Sequence, residues 1–389
     1  MRDRRAGMVN TLDMLDMLKT PTMETMTKDA DPQHTGPPHT GRSRGRWLLL
    51  AAVVLGVASA AAAAGAISNR LRQPYRGYAE AERFIEIVRG SSGRAIGEQL
   101  ATAGIVRDEW TFRLAMWRGG DDRILQAGEY RFAEPMTPAA VIDTLVRGDV
   151  YLIPITFPEG LDLEEMANQF GRSDFGTATD FLAAARDPSS IADVDPDATD
   201  LEGYLFPDTY RVPRSATAAD IVASMVRGFR QAFGPELRAA AEAAGYTPRQ
   251  VVALASLIEK ETARDEERAM VAAVYRNRLD RRMGLQCDPT VIYALKRAGQ
   301  YDGNLTRADL QFDSPYNTYR YAGLPPGPIA SPGKASIEAA LAPADVSYLY
   351  FVSRNDGSHV FASTLGEHNR NVQEFQVRYF RERRARARP

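Results

Sequence analysis

The sequence predicts an α+β protein that is attached to a membrane by a single N-terminal helix. Three observations support this fold class. A run without any charged residue occupies positions 47–68. After it, short strand patterns and longer helical patterns follow one another without a regular repeat. A chain of 389 residues with 44% hydrophobic content is long enough to bury a large core in two or three domains.

The composition argues against several classes of function. The formal net charge of −2 gives no field that would attract nucleic acid. One cysteine, Cys287, allows neither an internal disulfide nor a zinc site built from thiolates. The four histidines, His34, His39, His359 and His368, show no metal-binding spacing. We therefore expect neither a metal nor another cofactor.

The N-terminal part indicates a membrane anchor. Residues 1–46 are polar without a sustained period, and we expect a disordered cytoplasmic tail. The run 47–68 is long enough to cross a bilayer. It is preceded by Arg42, Arg44 and Arg46. The positive-inside rule then places the N-terminus in the cytoplasm and the rest of the chain outside. A small-residue motif at 58–60 leaves a cleaved signal peptide as the alternative.

A short linker at 69–78 leads into a small module at 79–150. The pattern predicts a strand at 84–88, helices at 95–103 and 109–117, a strand at 128–132 and a helix at 137–147. A strand, two helices and a strand of this size resemble a LysM-like fold, a module that binds N-acetylglucosamine polymers. A spacer that only holds the next domain away from the membrane is the alternative.

The remaining residues, 151–389, are expected to form a mixed α/β catalytic domain. A strand at 151–157 and a turn at 158–160 open it, and helices follow to about residue 185. In the stretch LEGYLFPDTY at 201–210, aromatic and polar side chains are interleaved, as in grooves for sugar rings. Glu202 and Asp208 would hold sugar hydroxyls there, or would only brace the loop.

The domain is organised around one helix, VVALASLIEKET at 251–262. Helical spacing places Glu259 with Val252 and Ala255 on the inward face and turns Glu261 toward the charged side of the helix. A carboxylate among apolar groups keeps its proton more easily, which suits a general acid. The alternative is a Glu259 that is satisfied by a buried arginine or by backbone N–H groups.

The C-terminal third offers a second helix, two stiff loops and a hairpin. A long helix occupies 267–282, and Asp288 is expected to cap a helix that runs to Ala298. The Pro- and Gly-rich segments at 314–319 and 323–329 are typical of loops that wall a site. A β-hairpin is expected to turn at residues 355–357, followed by a closing helix from about Gly366.

Several of these stretches together resemble one family, the endolytic murein transglycosylases of the MltG (YceG-like) family. The matching stretches are PEG at 158, LEGYLFPDTY at 201, ASLIEKET at 255, VYRNRL at 274, MGLQCDPTVIYAL at 283, SPYNTY at 314, GLPPGPIASPG at 323, YLYFV at 348 and EHN at 367. The resemblance extends from about Phe84 to the C-terminus and includes the single anchor helix. It implies a LysM-like subdomain and a catalytic domain with lysozyme-like cleft features.

The resemblance also implies an activity. The family cleaves the MurNAc–GlcNAc β-1,4 bond within peptidoglycan glycan strands, and its catalytic glutamate would fall on Glu259. Substrate contacts are expected, by analogy with other lytic transglycosylases, from Gln286, Tyr316 and Asn317. Asn277 would bond Glu259 or the substrate. The implied role is to cut nascent strands and so limit their length, close to the peptidoglycan synthases at the membrane.

One carboxylate suffices for such a reaction. Glu259 would protonate the glycosidic oxygen and then take the proton from the 6-hydroxyl of the same sugar, which attacks C1 and gives 1,6-anhydroMurNAc. A muramidase would instead need a second carboxylate, for which Asp288, Asp208 and Glu202 are candidates. A membrane-tethered peptidoglycan-binding scaffold without activity is the third hypothesis.

Overall fold

The computed structural model describes residues 43–120 and 123–386, so most of the tail predicted at 1–46 lies outside the described residues. The chain divides at Ser68 into two compact units. The first contains most of helix α1 (Ser43–Arg72), whose apolar side chains are exposed. Within the described residues, Arg46–Arg72 is the single helix that is long and apolar enough to cross a membrane.

The second unit begins with a small module that has its own core. Its elements are β1 (Arg83–Ile87), α2 (Gly93–Thr102), α3 (Glu109–Gly119), β2 (Gly128–Phe132) and α4 (Pro138–Arg147). The two strands pair antiparallel, with Ile85 opposite Tyr130. Side chains of Ser92, Asp108 and Thr137 cap the three helices, which explains why each helix begins where it does.

The larger part of the second unit is mostly helical. It opens with β3 (Ile153–Thr156), α5 (Leu163–Phe170), α6 (Ala178–Ala185), a 3₁₀ turn at Pro188–Ile191 and β4 (Thr209–Val212). The central helices are α7 (Ala218–Ala232), α8 (Pro235–Ala243), α9 (Pro248–Glu261), α10 (Asp265–Asp280), α11 (Asp288–Arg297) and α12 (Lys334–Leu341), with a 3₁₀ turn at Asp309–Gln311. The chain closes with β5 (Tyr350–Ser353), β6 (His359–Ala362), α13 (Leu365–Val372), a π-helical turn at Gln373–Arg378 and α14 (Tyr379–Arg386). β3 pairs with β4 and β5 with β6, both antiparallel, so the α+β class is confirmed.

Helix α9 is the centre of this domain. Thr247 and Gln250 form a capping box at its start, and every residue from Val251 to Ile258 is buried. Helices α10, α11 and α12 all pack against it. A helix that is apolar nearly all round is one that is covered on every side, and the sequence pattern of this stretch had predicted only one inward face.

The structure corrects the expected start of α11. The N-cap residue is Cys287, and Asp288 is already the first helical residue. The carboxylate of Asp288 accepts a hydrogen bond from the hydroxyl of Tyr319 instead of capping the helix. The predicted hairpin turn is present, with Asn355 and Gly357 both at positive φ.

Gly203 should tolerate no side chain. It has a φ of +80°, and a Cβ there would lie 2.4 Å from Cβ of Pro328 and 2.9 Å from Cγ1 of Val252 on α9. We expect Gly203→Ala to lower the free energy of unfolding by about 3 kcal/mol, from left-handed backbone strain and overpacking together. Denaturant unfolding of the full chain in detergent would measure this.

Gly245→Ala is the matched control. Gly245 has a φ of +74° and nothing within 4 Å of the added Cβ, so it carries the backbone strain alone, about 1–2 kcal/mol. Equal losses in the two variants would contradict the close packing of Gly203 on Pro328.

Candidate active site

The last turn of α9 carries two carboxylates in different surroundings. The side chain of Glu259 is only 6% exposed. Its Oε2 accepts a hydrogen bond from the backbone N–H of Gly333 at 2.9 Å, and its Oε1 lies 3.6 Å from Nη2 of Arg268. The alternative that the sequence left open, a glutamate satisfied by a buried arginine and a backbone N–H, therefore describes Glu259.

Arg268 ties this region together. Its side chain is 7% exposed, donates from Nε to the Ser336 hydroxyl at 3.1 Å, and forms an ion pair with Asp265. The carboxylate of Glu159 lies 3.8 Å from the same Nη2 that faces Glu259. Burial and the neighbouring Glu259 carboxylate raise the pKa of Glu159, while Arg268 lowers it. Sequence analysis had not singled out Glu159, since only the turn motif PEG marked it.

Glu261 lies at the end of α9 and lines a cavity of about 260 Å³. It is partly exposed, and its Oε1 accepts a hydrogen bond from the Tyr275 hydroxyl at 2.8 Å. Burial raises its pKa above the ordinary value and Asp288 adds to the rise, whereas hydrogen bonds from Cys287 and Tyr275 act in the opposite direction. The cavity is lined by Glu261, Tyr275, Arg278, Leu285, Gln286, Asp288, Tyr319, Phe351 and His368.

The prediction that Glu261 turns toward the charged side of the helix is therefore wrong. Helical spacing shows which residues share a face, but not which faces a neighbouring element covers. Here α10 folds back along α9 and brings Tyr275 against Glu261, and the segment before α11 adds Cys287. The surroundings expected for Glu259, a desolvated carboxyl that keeps its proton more easily, belong to Glu261.

Polar groups from separate segments meet at this cavity. Gln286 is exposed at its rim in a left-handed conformation, φ +51°, and its backbone N–H donates to the carbonyl of Thr318 at 3.2 Å. Asp288, the first residue of α11, is exposed and lines the same cavity, and its carboxylate accepts a hydrogen bond from the hydroxyl of Tyr319. The guanidinium of Arg278 donates hydrogen bonds to the carbonyls of Leu349 and Leu285 and so stabilises the cavity wall.

Two predicted site residues do structural work elsewhere. Asn277 donates to the carbonyls of Val346 and Tyr348, at 2.8 and 2.9 Å, and so holds the segment before β5. No bond between it and Glu259 exists among the described residues. Asn317 is fully buried, and its amide donates to the carbonyls of Leu310 and Phe312. The predictions that these side chains contact substrate are therefore not supported, because both amides are already used inside the protein.

Glu202 lies away from Glu261, at a second cavity of about 220 Å³. Its Oε2 accepts hydrogen bonds from the Leu163 N–H and the Tyr293 hydroxyl, at 3.2 and 3.1 Å. Burial, with help from Asp162, raises the pKa of Glu202 to about 8. The cavity is lined by Asp162, Leu163, Glu164, Leu182, Arg186, Asp200, Glu202, Tyr293, Lys296 and Arg297.

Tyr316 and Asp208 complete the predicted set. The ring of Tyr316 lies 5.0 Å from that of Tyr293, with the Arg297 guanidinium 5.8 Å from it. Tyr316 therefore belongs to the surroundings of Glu202. Asp208 is exposed just before β4, and its carboxylate accepts from the backbone N–H of Thr209. Of the predicted residues, Gln286 and Asp288 are thus the two that share a cavity with Glu261.

Across residues 43–120 and 123–386, no group of three or more His, Cys, Asp or Glu side chains is arranged to hold a metal ion. The cavity at Glu261 instead offers a carboxyl group that can give up a proton, next to a second carboxylate and an exposed amide. Such a set can bind hydroxyl groups and supply general acid catalysis.

Comparison with known proteins gives a consistent result. The model of a family described as the YceG-like family matches residues 85–374. The chain is 33% identical over 311 residues to the endolytic murein transglycosylase of Bacillus subtilis strain 168, covering 75% of this chain and 84% of that protein. It is 32% identical over 323 residues to the endolytic murein transglycosylase of Streptococcus pneumoniae D39, of whose length it spans 58%. A crystal structure of a YceG-like protein from Listeria monocytogenes is 31% identical, with a TM-score of 0.51, over 75% of this chain and 99% of that chain.

The raised pKa of Glu202 predicts a pH-dependent stability. The folded state holds this proton up to about pH 8, whereas an unfolded glutamate releases it near 4.5. Stability should therefore be full below pH 4.5 and fall as the pH rises through this range. Gln has no proton to lose, so Glu202→Gln should match the native chain at pH 4 and exceed its free energy of unfolding by roughly 3 kcal/mol at pH 7.

Urea unfolding at pH 4, 6 and 8 would measure this difference. Glu164→Gln, which changes an exposed carboxylate at the same cavity, is the control and should show no such trend. A Glu202→Gln difference that stays constant with pH would contradict the raised pKa.

Proposed function

The chain belongs to the YceG-like family, and from this premise we propose that it is an endolytic lytic transglycosylase of peptidoglycan with Glu261 as its acid. The family resemblance predicted from the motifs is confirmed. The reaction cleaves the MurNAc–GlcNAc β-1,4 bond of glycan strands and leaves 1,6-anhydroMurNAc ends. The observation that carries the assignment of the acid is the position of Glu261 in a cavity wall, with a raised pKa and with no ion pair to its carboxylate among the described residues.

Glu261 fits the role of general acid better than Glu259 does. Glu259 is bound by the N–H of Gly333 and faces Arg268, so its two oxygens already have partners inside the protein. Glu261 is held by hydroxyl and thiol groups, which position it without adding a positive charge. The role that the sequence gave to Glu259 therefore passes to Glu261.

In the proposed mechanism, Glu261 protonates the glycosidic oxygen while the MurNAc C1 gains positive charge. The carboxylate formed then takes the proton of the 6-hydroxyl of the same sugar, and that oxygen attacks C1. The glycosidic bond breaks, the C1–O6 bond forms, and the proton that Glu261 gave is restored. Because the nucleophile is part of the substrate, its effective concentration is high and no water is consumed.

Asp288 supports a second candidate function. Its carboxylate lines the same cavity as Glu261, so two carboxyl groups are available on opposite segments of the wall. A hydrolase could use Asp288 to activate water. Of the other second carboxylates considered from the sequence, Glu202 lies at the other cavity and Asp208 is exposed before β4.

Product analysis with two glutamate variants tests the assignment. The full chain in detergent would be mixed with purified peptidoglycan, and soluble fragments would be analysed by mass spectrometry. We expect fragments ending in anhydro sugars, one water lighter than reducing ends. Glu261→Gln should lower the rate by at least about 10²-fold, since it removes the acid. Glu259→Gln, the matched change two residues earlier, should retain cleavage.

The outcomes separate the hypotheses. Loss of activity in Glu259→Gln alone would return the acid to that residue. Reducing ends, lost in Asp288→Asn, would identify a hydrolase. Binding without cleavage by the native chain would favour the scaffold hypothesis.

The small module supports a LysM-like assignment, which we include in the proposal. A cavity of about 530 Å³ lies between the β1–α2 turn and the segment before β2. It is lined by Ile87, Val88, Arg89, Gly90, Ser91, Gly93, Ile96, Met116, Arg123, Ile124, Leu125, Gln126 and Ala127. Val88 and Ile124 are 63% and 80% exposed, and apolar groups of this kind can pack on the face of an N-acetylglucosamine ring.

We further propose that α1 crosses the cytoplasmic membrane with the N-terminus inside. Three arginines precede the apolar run in the sequence, which supports this orientation. Both the small module and the catalytic domain would then face the cell wall. An anchored enzyme reaches only glycan close to the bilayer, where peptidoglycan synthases release new strands.

A tetramer of N-acetylglucosamine should bind at the module's cavity. Ile124→Glu places a charge on its apolar rim and should weaken binding by about tenfold, or 1.4 kcal/mol. Isothermal titration on the full chain would measure this. Leu365→Glu changes another exposed apolar residue, on α13, and should leave the affinity unchanged. Equal affinities of all three proteins would argue for a spacer.

A further inference from the structure

The exposed face of α3 has an unusual composition. The sequence holds three tryptophans, Trp47 at the start of the apolar run and Trp110 and Trp117 on α3. The side chains of Trp110 and Trp117 are 51% and 73% exposed, although the large apolar surface of tryptophan makes its exposure to water unfavourable. The opposite face of the helix is ordinary, with Phe112 and Ala115 buried in the core of the module.

The two tryptophans form one stripe with arginines on either side. At about 100° per residue, positions seven apart on a helix differ by only about 20°. Arg113 then lies about 60° to one side of Trp110 and Arg118 about 80° to the other. The one acidic residue of the helix, Glu109, is already paired, with Arg113 at 3.3 Å and Arg94 at 3.8 Å.

The start of α3 lies close to Arg70, in the last turn of α1, which belongs to the second unit. Arg70 follows Ser68 by two residues, about 3 Å of helix. Its guanidinium lies 3.5 Å from the carboxylate of Asp108, which caps α3 by accepting from the N–H of Thr111. This exposed pair contributes little stability, but it shows how close the first turn of α3 is to residue 70.

We propose that the exposed face of α3, formed by Trp110, Arg113, Trp117 and Arg118, lies on the anionic phospholipid headgroups of the bilayer that α1 crosses. Tryptophan is enriched at the membrane–water interface, where the ring sits among headgroups, and arginine pairs with their phosphates. The inference rests on the proposed membrane crossing of α1. It gives the module two attachments to the membrane, one covalent through α1 and one through this face.

The same stripe fits a sugar platform less well. Sugar sites pair aromatic rings with side chains that accept from hydroxyl groups, whereas both flanks of this stripe are cationic. The cavity proposed for N-acetylglucosamine is lined by Met116 and Ile124, and neither tryptophan contributes to it. Glycan and lipid are therefore assigned to separate surfaces of the module.

Fluorescence quenching in a bilayer tests the proposal. The full chain with Trp47→Phe, so that only the α3 tryptophans report, would be reconstituted into nanodiscs of phosphatidylglycerol and phosphatidylcholine. Acyl chains brominated near the headgroup should quench the emission relative to unbrominated lipid. The emission maximum should lie to the blue of that in detergent, and aqueous iodide should quench less. Removal of phosphatidylglycerol, or the pair Arg113→Glu and Arg118→Glu, should reverse these effects.

Other outcomes would overturn the proposal. Emission that iodide quenches fully and brominated lipid does not would leave the face in water. Protection by a tetramer of N-acetylglucosamine in place of lipid would assign it to glycan. Flotation of the nanodisc-bound chain reports separately on the crossing by α1, and peptidoglycan cleavage by the same sample reports on the proposed activity. A failure of the lipid contact alone can thus be distinguished from a failure of the membrane crossing and from a loss of the proposed activity.

Discussion

Complete burial of residues 251–258, the middle of α9, is the constraint on which the rest of the domain depends. Because these residues have no exposed face, Glu259 and Glu261 follow directly on a segment that is covered on every side. A buried carboxylate that finds no partner costs several kcal/mol, and Glu259 and Glu261 both face this problem within one turn. The elements around the end of α9 provide a different set of partners for each of these two carboxylates.

The partners of Glu259 and those of Glu261 differ in charge and in access to a cavity. Glu259 contacts Arg268 of α10 and the backbone N–H of Gly333, the N-cap residue of α12, and these contacts connect three helices. Glu261 is met by Tyr275 and Cys287, which are neutral, and its remaining side faces a cavity. The partners of Glu259 join elements of the fold, whereas the partners of Glu261 leave one side of a desolvated carboxyl group open to the cavity. In the proposed mechanism, a structural and a catalytic role thus fall on two glutamates of the same helix turn.

Much of this arrangement could be predicted from the sequence, and the failures have a common cause. The capping box of α9, the strands of the small module and the turn at Asn355 to Gly357 depend on contacts within a few residues, and they were predicted. The roles of Glu259 and Glu261 depend on where α10 and α12 fold back, which the spacing within α9 does not contain. The hydrogen bonds of Asn277 could not be predicted for the same reason, since the carbonyls it binds come from the segment before β5.

A raised pKa by itself does not identify the acid. Glu202 also has one, also lines a cavity, and also accepts a hydrogen bond from a tyrosine. Yet Glu202 is 6% exposed, and its Oε1, which has no partner among the described residues, is itself buried. A proton held there lies beneath the cavity floor, where a glycosidic oxygen cannot approach it. Glu261 is partly exposed and shares its cavity with Gln286 and Asp288. General acid catalysis requires the proton to be within hydrogen-bond reach of the substrate, so access decides between two carboxyl groups whose pKa burial raises.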